Sequence, residues 1–118
     1  MQVMMLIQET PEDFAARTGP AANAYWDKWM AYSATLGDKV VGGNILGDDG
    51  TGVTITVRDG ERQIQDGPYA DSKESLGGYM ILDVESMDEA LELAATCPAA
   101  ATGAVELRPV AEMPAEVG

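Results

Sequence analysis

The sequence predicts an α+β fold of ferredoxin-like type, with two main helices on one face of an antiparallel sheet. Three observations predict it. Strand-like and helix-like periodicities follow in the order strand, helix, strand, hairpin, strand, helix, strand, which suits a split βαβ arrangement. Residues 2 to 8 and 79 to 84 are apolar on both faces, so both faces of those strands must be covered. The 118 residues, 46% of them hydrophobic, suffice for one buried core and are too few for two. We expect a single domain over residues 1 to 110 and a frayed tail, rich in Pro, Glu and Ala, over 111 to 118.

In the first strand Val3, Met5 and Ile7 point one way while Met4 and Leu6 point the other. Thr10 before Pro11, with Asp13 three residues on, has the spacing of an N-cap and first turn of a short helix that fades near Arg17. From Pro20, the residues Ala22, Tyr25, Trp26, Trp29, Ser33 and Leu36 recur at three- and four-residue intervals and share one side of a longer helix, which Gly37 ends. Its aromatic residues read as a face packed on the sheet. Tyr32 is set apart from them, because a buried hydroxyl needs a partner.

Residues 39 to 46 form a strand interrupted at Gly42 and Gly43 by a bulge or a close backbone approach, and 47 to 52 form a loop. Val53, Ile55 and Val57 then alternate with Thr54, Thr56 and Arg58 until Asp59-Gly60. That dipeptide suits a two-residue type I′ turn and would pair Arg58 with Glu61 and Ile55 with Ile64. After the strand at 79 to 84, Ser86 and Glu89 have the spacing of a capping box. The stripe Met87, Ala90, Leu91, Ala94 and Cys97 predicts a helix over 87 to 97, closed by Pro98. A last strand runs from Ala104 to Arg108, until Pro109 ends its ladder. The helices cover one face of the sheet, and a second copy of the chain is the simplest cover for the other.

Seven Lys plus Arg against twenty Asp plus Glu give a formal charge of −13, a surface that repels phosphate backbones and excludes direct nucleic-acid binding. No apolar run approaches the length of a bilayer span, and the apolar N-terminus has no basic leader, so we expect a soluble protein of the cytoplasm. The chain has no histidine and one cysteine, Cys97, which reads as a buried small apolar residue. Asp48 and Asp49 fit no calcium loop and read as a solvated turn, so no metal is expected. The Gly-Gly pairs at 42 and 77 lack the strand-turn-helix context of a dinucleotide site, so no cofactor is expected either.

Residues 66 to 79, Asp-Gly-Pro-Tyr-Ala-Asp-Ser-Lys-Glu-Ser-Leu-Gly-Gly-Tyr, form a polar connector between strands, longer than most and therefore a candidate functional segment. The stretch resembles the signature of the YCII-related family in its DGPF subgroup: Asp66, Gly67, Pro68, Lys73, Glu74, Gly77 and Gly78 stand at family positions. The resemblance extends to Val3–Ile7, to Val41-Gly-Gly-Asn-Ile-Leu, to Asp88-Glu89-Ala90-Leu91 and to Ala104–Pro109. Tyr69 stands where the family usually has Phe, and Asp71 where Glu is common. The resemblance implies the dimeric α/β-barrel superfamily and a homodimer. Some relatives resemble enzymes that use a histidine and an aspartate as acid and base, a dyad that a chain without histidine cannot form.

Within the connector, Asp66, Tyr69, Lys73 and Glu74 are the candidate catalytic groups, with Asp71 beside them, since a desolvated carboxylate or lysine shifts toward neutrality and can move a proton. Tyr32, Asn44, Tyr79, Glu106 and Arg108 are the candidate ligand contacts, the last two projecting from the closing strand toward the same cavity. Three readings follow, in order: a homodimeric module that binds a small organic ligand, a cofactor-free lyase or isomerase working by acid/base chemistry, and a regulatory protein partnered with a sigma factor of transcription, as the resemblance implies.

Overall fold

The structure is a computed structural model that describes residues 1–69 and 74–115. Its main sheet has four antiparallel strands in the order β2-β5-β1-β6, where β1 is Gln2–Glu9, β2 is Val40–Ile45, β5 is Ser75–Asp83 and β6 is Ala104–Pro109. The long helices α2 (Ala22–Leu36) and α3 (Met87–Ala95) lie on one face of that sheet, and a short α1 (Pro11–Ala15) follows β1. The order of the four strands and the two long helices is that of a ferredoxin-like sandwich.

Alternation along β1 separates its two faces. Val3, Met5, Ile7 and Glu9 are all buried beneath the helices, while Met4, Leu6 and Gln8 are half-buried on the other face. The core gathers Val3, Met5, Ile7 and Leu82 from the sheet, Tyr32 and Leu36 from α2, and Ala90, Ala94 and Cys97 from α3 and its end. Burial of Cys97 pushes its thiol pKa up, so the residue behaves as a small apolar side chain.

Local signals hold where the chemistry is short-range. Thr10 Oγ1 accepts from the backbone N–H of Asp13 at 3.2 Å, and Ser86 Oγ accepts from that of Glu89 at 3.2 Å. The hairpin of β3 (Val53–Arg58) and β4 (Glu61–Asp66) pairs Ile55 with Ile64 and Arg58 with Glu61, around Asp59 and Gly60 at φ 53° and 79°. This hairpin forms a separate two-stranded sheet.

Other boundaries move. The bulge in β2 falls between Val40 and Gly42. Strand β5 begins at Ser75, earlier than its apolar run, because the Gly77-Gly78 pair is itself in the sheet. Helix α3 stops at Ala95, two residues short of the expected 97, and Pro98 opens a further short helix, α4 (Pro98–Thr102), with Cys97 as its N-cap, as a proline at the first helical position does. Pro109 lies within β6, an edge strand, where a missing N–H is tolerated. The expected tail overlaps residues 116–118, which lie outside the described residues.

Candidate functional site

The site grows from a charged residue at the end of a buried row. Glu9 continues the alternation of Val3, Met5 and Ile7 and is 2% exposed. A buried carboxylate needs partners, and the next segment supplies them. Arg17, two residues beyond α1, places Nη2 at 2.5 Å from Glu9 Oε1, and Tyr25 in the first turns of α2 donates its hydroxyl to Glu9 Oε2.

Arg17 also ties three chain segments together. Its Nη1 donates to Leu46 O at 2.6 Å and its Nη2 to Gly77 O at 2.9 Å, while its own carbonyl accepts from Trp26 Nε1 at 3.0 Å. Phe14, one turn earlier, covers the guanidinium with its ring centroid 4.2 Å from Cζ. Arg17 Nε is buried with no hydrogen-bond partner among the described residues. Burial works against the cation, but the bonds to Glu9 and Tyr25 outweigh it and hold the Arg17 pKa above its ordinary value. For Tyr25, burial and the bond to Glu9 push the hydroxyl pKa up to about 12, so the phenol stays protonated at neutral pH.

Gly77 is required here. It is the extra residue where the β1–β5 register shifts between Ile7 and Gln8. A Cβ built on it would lie 2.8 Å from Arg17 Nη2 and 3.0 Å from Glu9 Cδ, and closer still to Glu9 Oε1. The first glycine of the signature's pair thus makes room for the ion pair, while the second, Gly78, lets the backbone at Asn44 approach.

A cleft of about 710 Å³ opens between α2 and the sheet, floored by Glu9, Arg17 and the glycines 43, 77 and 78, and walled by Tyr25, Trp26, Trp29 and Met30. Gly43 and Gly78 pair with Met80 and Ile7, and a Cβ on either would meet the neighbouring strand's backbone, 2.6 Å from Tyr79 O and 2.9 Å from Asn44 O, so these glycines let β2 and β5 lie close together at the floor of the cleft. A second groove of about 930 Å³ lies on the far side of α2, toward α4, and is lined by Glu9, Tyr25, Trp29, Tyr32 and several alanines. Glu9, Tyr25 and Trp29 border both. The arrangement offers an acceptor carboxylate, a neutral phenol, a fixed cation and two indole faces, which suits a flat organic molecule with polar edges.

The sequence-predicted site residues scatter around this cleft. Asn44 and Tyr79 border it at the β2–β5 edge, with their side chains turned by the register to the other face, where Asn44 Nδ2 donates to Tyr79 Oη at 2.8 Å. Tyr32 lines the far groove, but its hydroxyl is engaged in the core, donating to Leu93 O at 2.7 Å. Glu106 and Arg108 line neither cavity; they pair with Leu6 and Met4 on the open face and face each other at 3.6 Å. Asp66 is exposed at the end of β4, Tyr69 is 72% exposed, and Glu74 is half-buried just before β5. Lys73 and Asp71 lie outside the described residues. The Asp66-Gly67-Pro68 turn is fastened by one backbone bond, from Gly67 N–H to Gly52 O at 2.8 Å, and by one side-chain bond, from the Thr54 hydroxyl to Gly67 O at 2.7 Å. Glu9, Arg17 and Tyr25 were missed as a set, although the charged residue in the buried row of β1 is visible in the sequence.

Among the described residues no group of three or more Cys, Asp or Glu is arranged to hold a metal ion, and no helix is long and apolar enough to cross a membrane. By fold the protein is a ferredoxin-like α+β sandwich with a helix-side cleft. It belongs to the YCII-related domain family, whose model matches residues 1–114. It is 44% identical over 54 residues to the uncharacterized protein R00369 of Rhizobium meliloti (strain 1021), a match spanning 44% of each chain. Its fold is similar to that of the 5-chloro-2-hydroxyhydroquinone dehydrochlorinase TftG of Burkholderia phenoliruptrix AC1100, solved in complex with 2,5-dihydroxybenzoquinone, at a TM-score of 0.56 and 17% identity over 96% of each chain.

Proposed function

We propose that the protein is a homodimeric module that binds a small, planar organic molecule in the cleft between α2 and the sheet, as a soluble protein of the cytoplasm. The observation that carries this reading is the buried Glu9–Arg17–Tyr25 cluster opening onto a space walled by Trp26 and Trp29. A hydroxyl on the ligand would donate to the carboxylate or to the phenol oxygen, and the indoles would stack on the ring. The ring bound in the dehydrochlorinase of like fold carries hydroxyl and carbonyl oxygens at its edge, which makes 2,5-dihydroxybenzoquinone a rational first probe. Calorimetric titration of the wild-type protein with that compound should show saturable binding, and Tyr25→Phe should weaken it about ten-fold, the worth of one hydrogen bond. Equal affinity in the two proteins would count against this site.

A second reading is favoured by the contact between a protonated Tyr25 and the Glu9 carboxylate. A phenol and a carboxylate in one cleft can give and take a proton, so a cofactor-free elimination or isomerisation is chemically open to this site. Asp66 at the end of the hairpin, and Tyr69, Lys73 and Glu74 after it in the sequence, stay as candidate acid/base groups. Turnover of a hydroxylated quinone or phenol, abolished by Glu9→Gln, would move the protein from binding module to lyase.

A further inference from the structure

We propose that the β3–β4 hairpin is an arm that lays its apolar face on a second copy of this chain. The argument starts from the register. Directly opposed residues share a face, so Val53, Ile55, Val57 and Ile64 stand together with Asp66 and Arg62, while Thr54, Thr56, Gln63, Gln65, Arg58 and Glu61 make up the other face. One side is apolar and the other polar, the pattern of a half-buried ribbon. Yet Val53, Ile55, Val57 and Ile64 are each between 51% and 65% exposed. A lone two-stranded hairpin is marginal in water, and this one is outside the main sheet.

Area and shape select a second copy as the occupant. The four side chains expose roughly 400 Å², enough to mark an interaction patch but about half of the ~800 Å² that each partner gives to a standard interface. The remainder is present on the same chain: Met4, Leu6, Tyr79 and Ile81 form the half-buried open face of the sheet. A two-fold pair of chains covers both surfaces at once. The molecule is a slab of 48 × 47 × 18 Å with a radius of gyration of 16.6 Å. A compact domain of this length has about 13.5 Å, so the chain is shaped for a partner.

Charge agrees. In a chain of −13, the two surfaces set Arg62 and Arg108 against Asp66 and Glu106, and Asp83 at the rim is met by the N-terminal ammonium at 3.8 Å. Two acidic molecules can approach through these faces without the repulsion found elsewhere.

The proposal rests on the homodimeric reading above, and sedimentation of the full chain separates the two. The wild-type protein should sediment as two copies. Ile55→Lys with Ile64→Lys should keep the far-ultraviolet spectrum of the fold and weaken association about 100-fold, since two ammonium groups per chain would enter the contact. The same charges on the polar face, Thr56→Lys with Gln63→Lys, should leave association unchanged. Unaltered association of the Ile55/Ile64 variant would overturn the arm and leave a dimer through the sheet alone, whereas a single wild-type copy at every concentration would overturn both. If the variant does not fold, amide exchange of residues 53–66 in the unmodified protein decides: protection that disappears on dilution supports the arm, and fast exchange in the two-copy state refutes it.

Discussion

Replacing Gly77 with alanine tests the site through a single methyl group. The new Cβ would lie 2.8 Å from Arg17 Nη2, 3.0 Å from Glu9 Cδ and nearer still to Glu9 Oε1, whereas ordinary van der Waals contact begins at 3.4 Å. Carboxylate tips usually swing aside at little cost. This one is 2% exposed and bound on both oxygens, so moving it stretches the 2.5 Å pair with Arg17 and the bond from Tyr25 together. Disturbing a buried pair costs about 3–5 kcal/mol when one partner is lost outright, so partial displacement should cost about 2–4 kcal/mol. Denaturant unfolding reads that as a lower midpoint at constant slope. The double-mutant cycle is decisive: in a Glu9→Ala background only the 2.8 Å contact with Arg17 Nη2 remains, on a guanidinium no longer held by its carboxylate, and the alanine at 77 should cost clearly less. Additive losses in the two backgrounds would refute the claim that Gly77 is kept clear for Glu9.

Further outcomes follow from the same contacts. Arg17→Met should destabilise the fold by about 3–5 kcal/mol in chemical denaturation, because it leaves a buried carboxylate short of its cation and frees the carbonyls of Leu46 and Gly77. Burial and the Glu9 bond raise the Tyr25 hydroxyl from 10.0 to about 12, so its contribution is intact below pH 10 and fades as pH rises through 12. Allowing for partial exposure, that fading amounts to about 1–2 kcal/mol, and an alkaline stability profile of Tyr25→Phe should lack it. Ser86→Ala should cost about 1 kcal/mol of thermal or chemical stability through the lost cap of α3, with no effect on the cleft.

Much of the fold was legible in the sequence because its signals are local. The Asp59-Gly60 turn dictates the hairpin register, Thr10 and Ser86 cap their helices, and the doubly apolar strands occupy the centre of the sheet. The glycine signature marked a real structural need, but its reason lies in β1 and Arg17, 60 or more residues away. Glu9 was the readable clue that went unused: a charge in phase with Val3, Met5 and Ile7 must be buried with a partner. Arg17 and Tyr25 could not be matched to it by spacing, because the pairing depends on how α2 crosses the sheet. Glu106 and Arg108 were assigned to the cavity from strand alternation, which fixes that they share a face and says nothing of which face holds the cleft.

The central claim is that the ligand sits on the helix side of the sheet, against the chain's only two tryptophans, Trp26 and Trp29. Fluorine NMR of protein labelled with 5-fluorotryptophan, titrated with 2,5-dihydroxybenzoquinone, tests it most directly. The account predicts that both resonances move with one saturation curve and that Tyr25→Phe shifts the curve to higher concentration. Binding that leaves both resonances in place would contradict it and put the site elsewhere on the molecule.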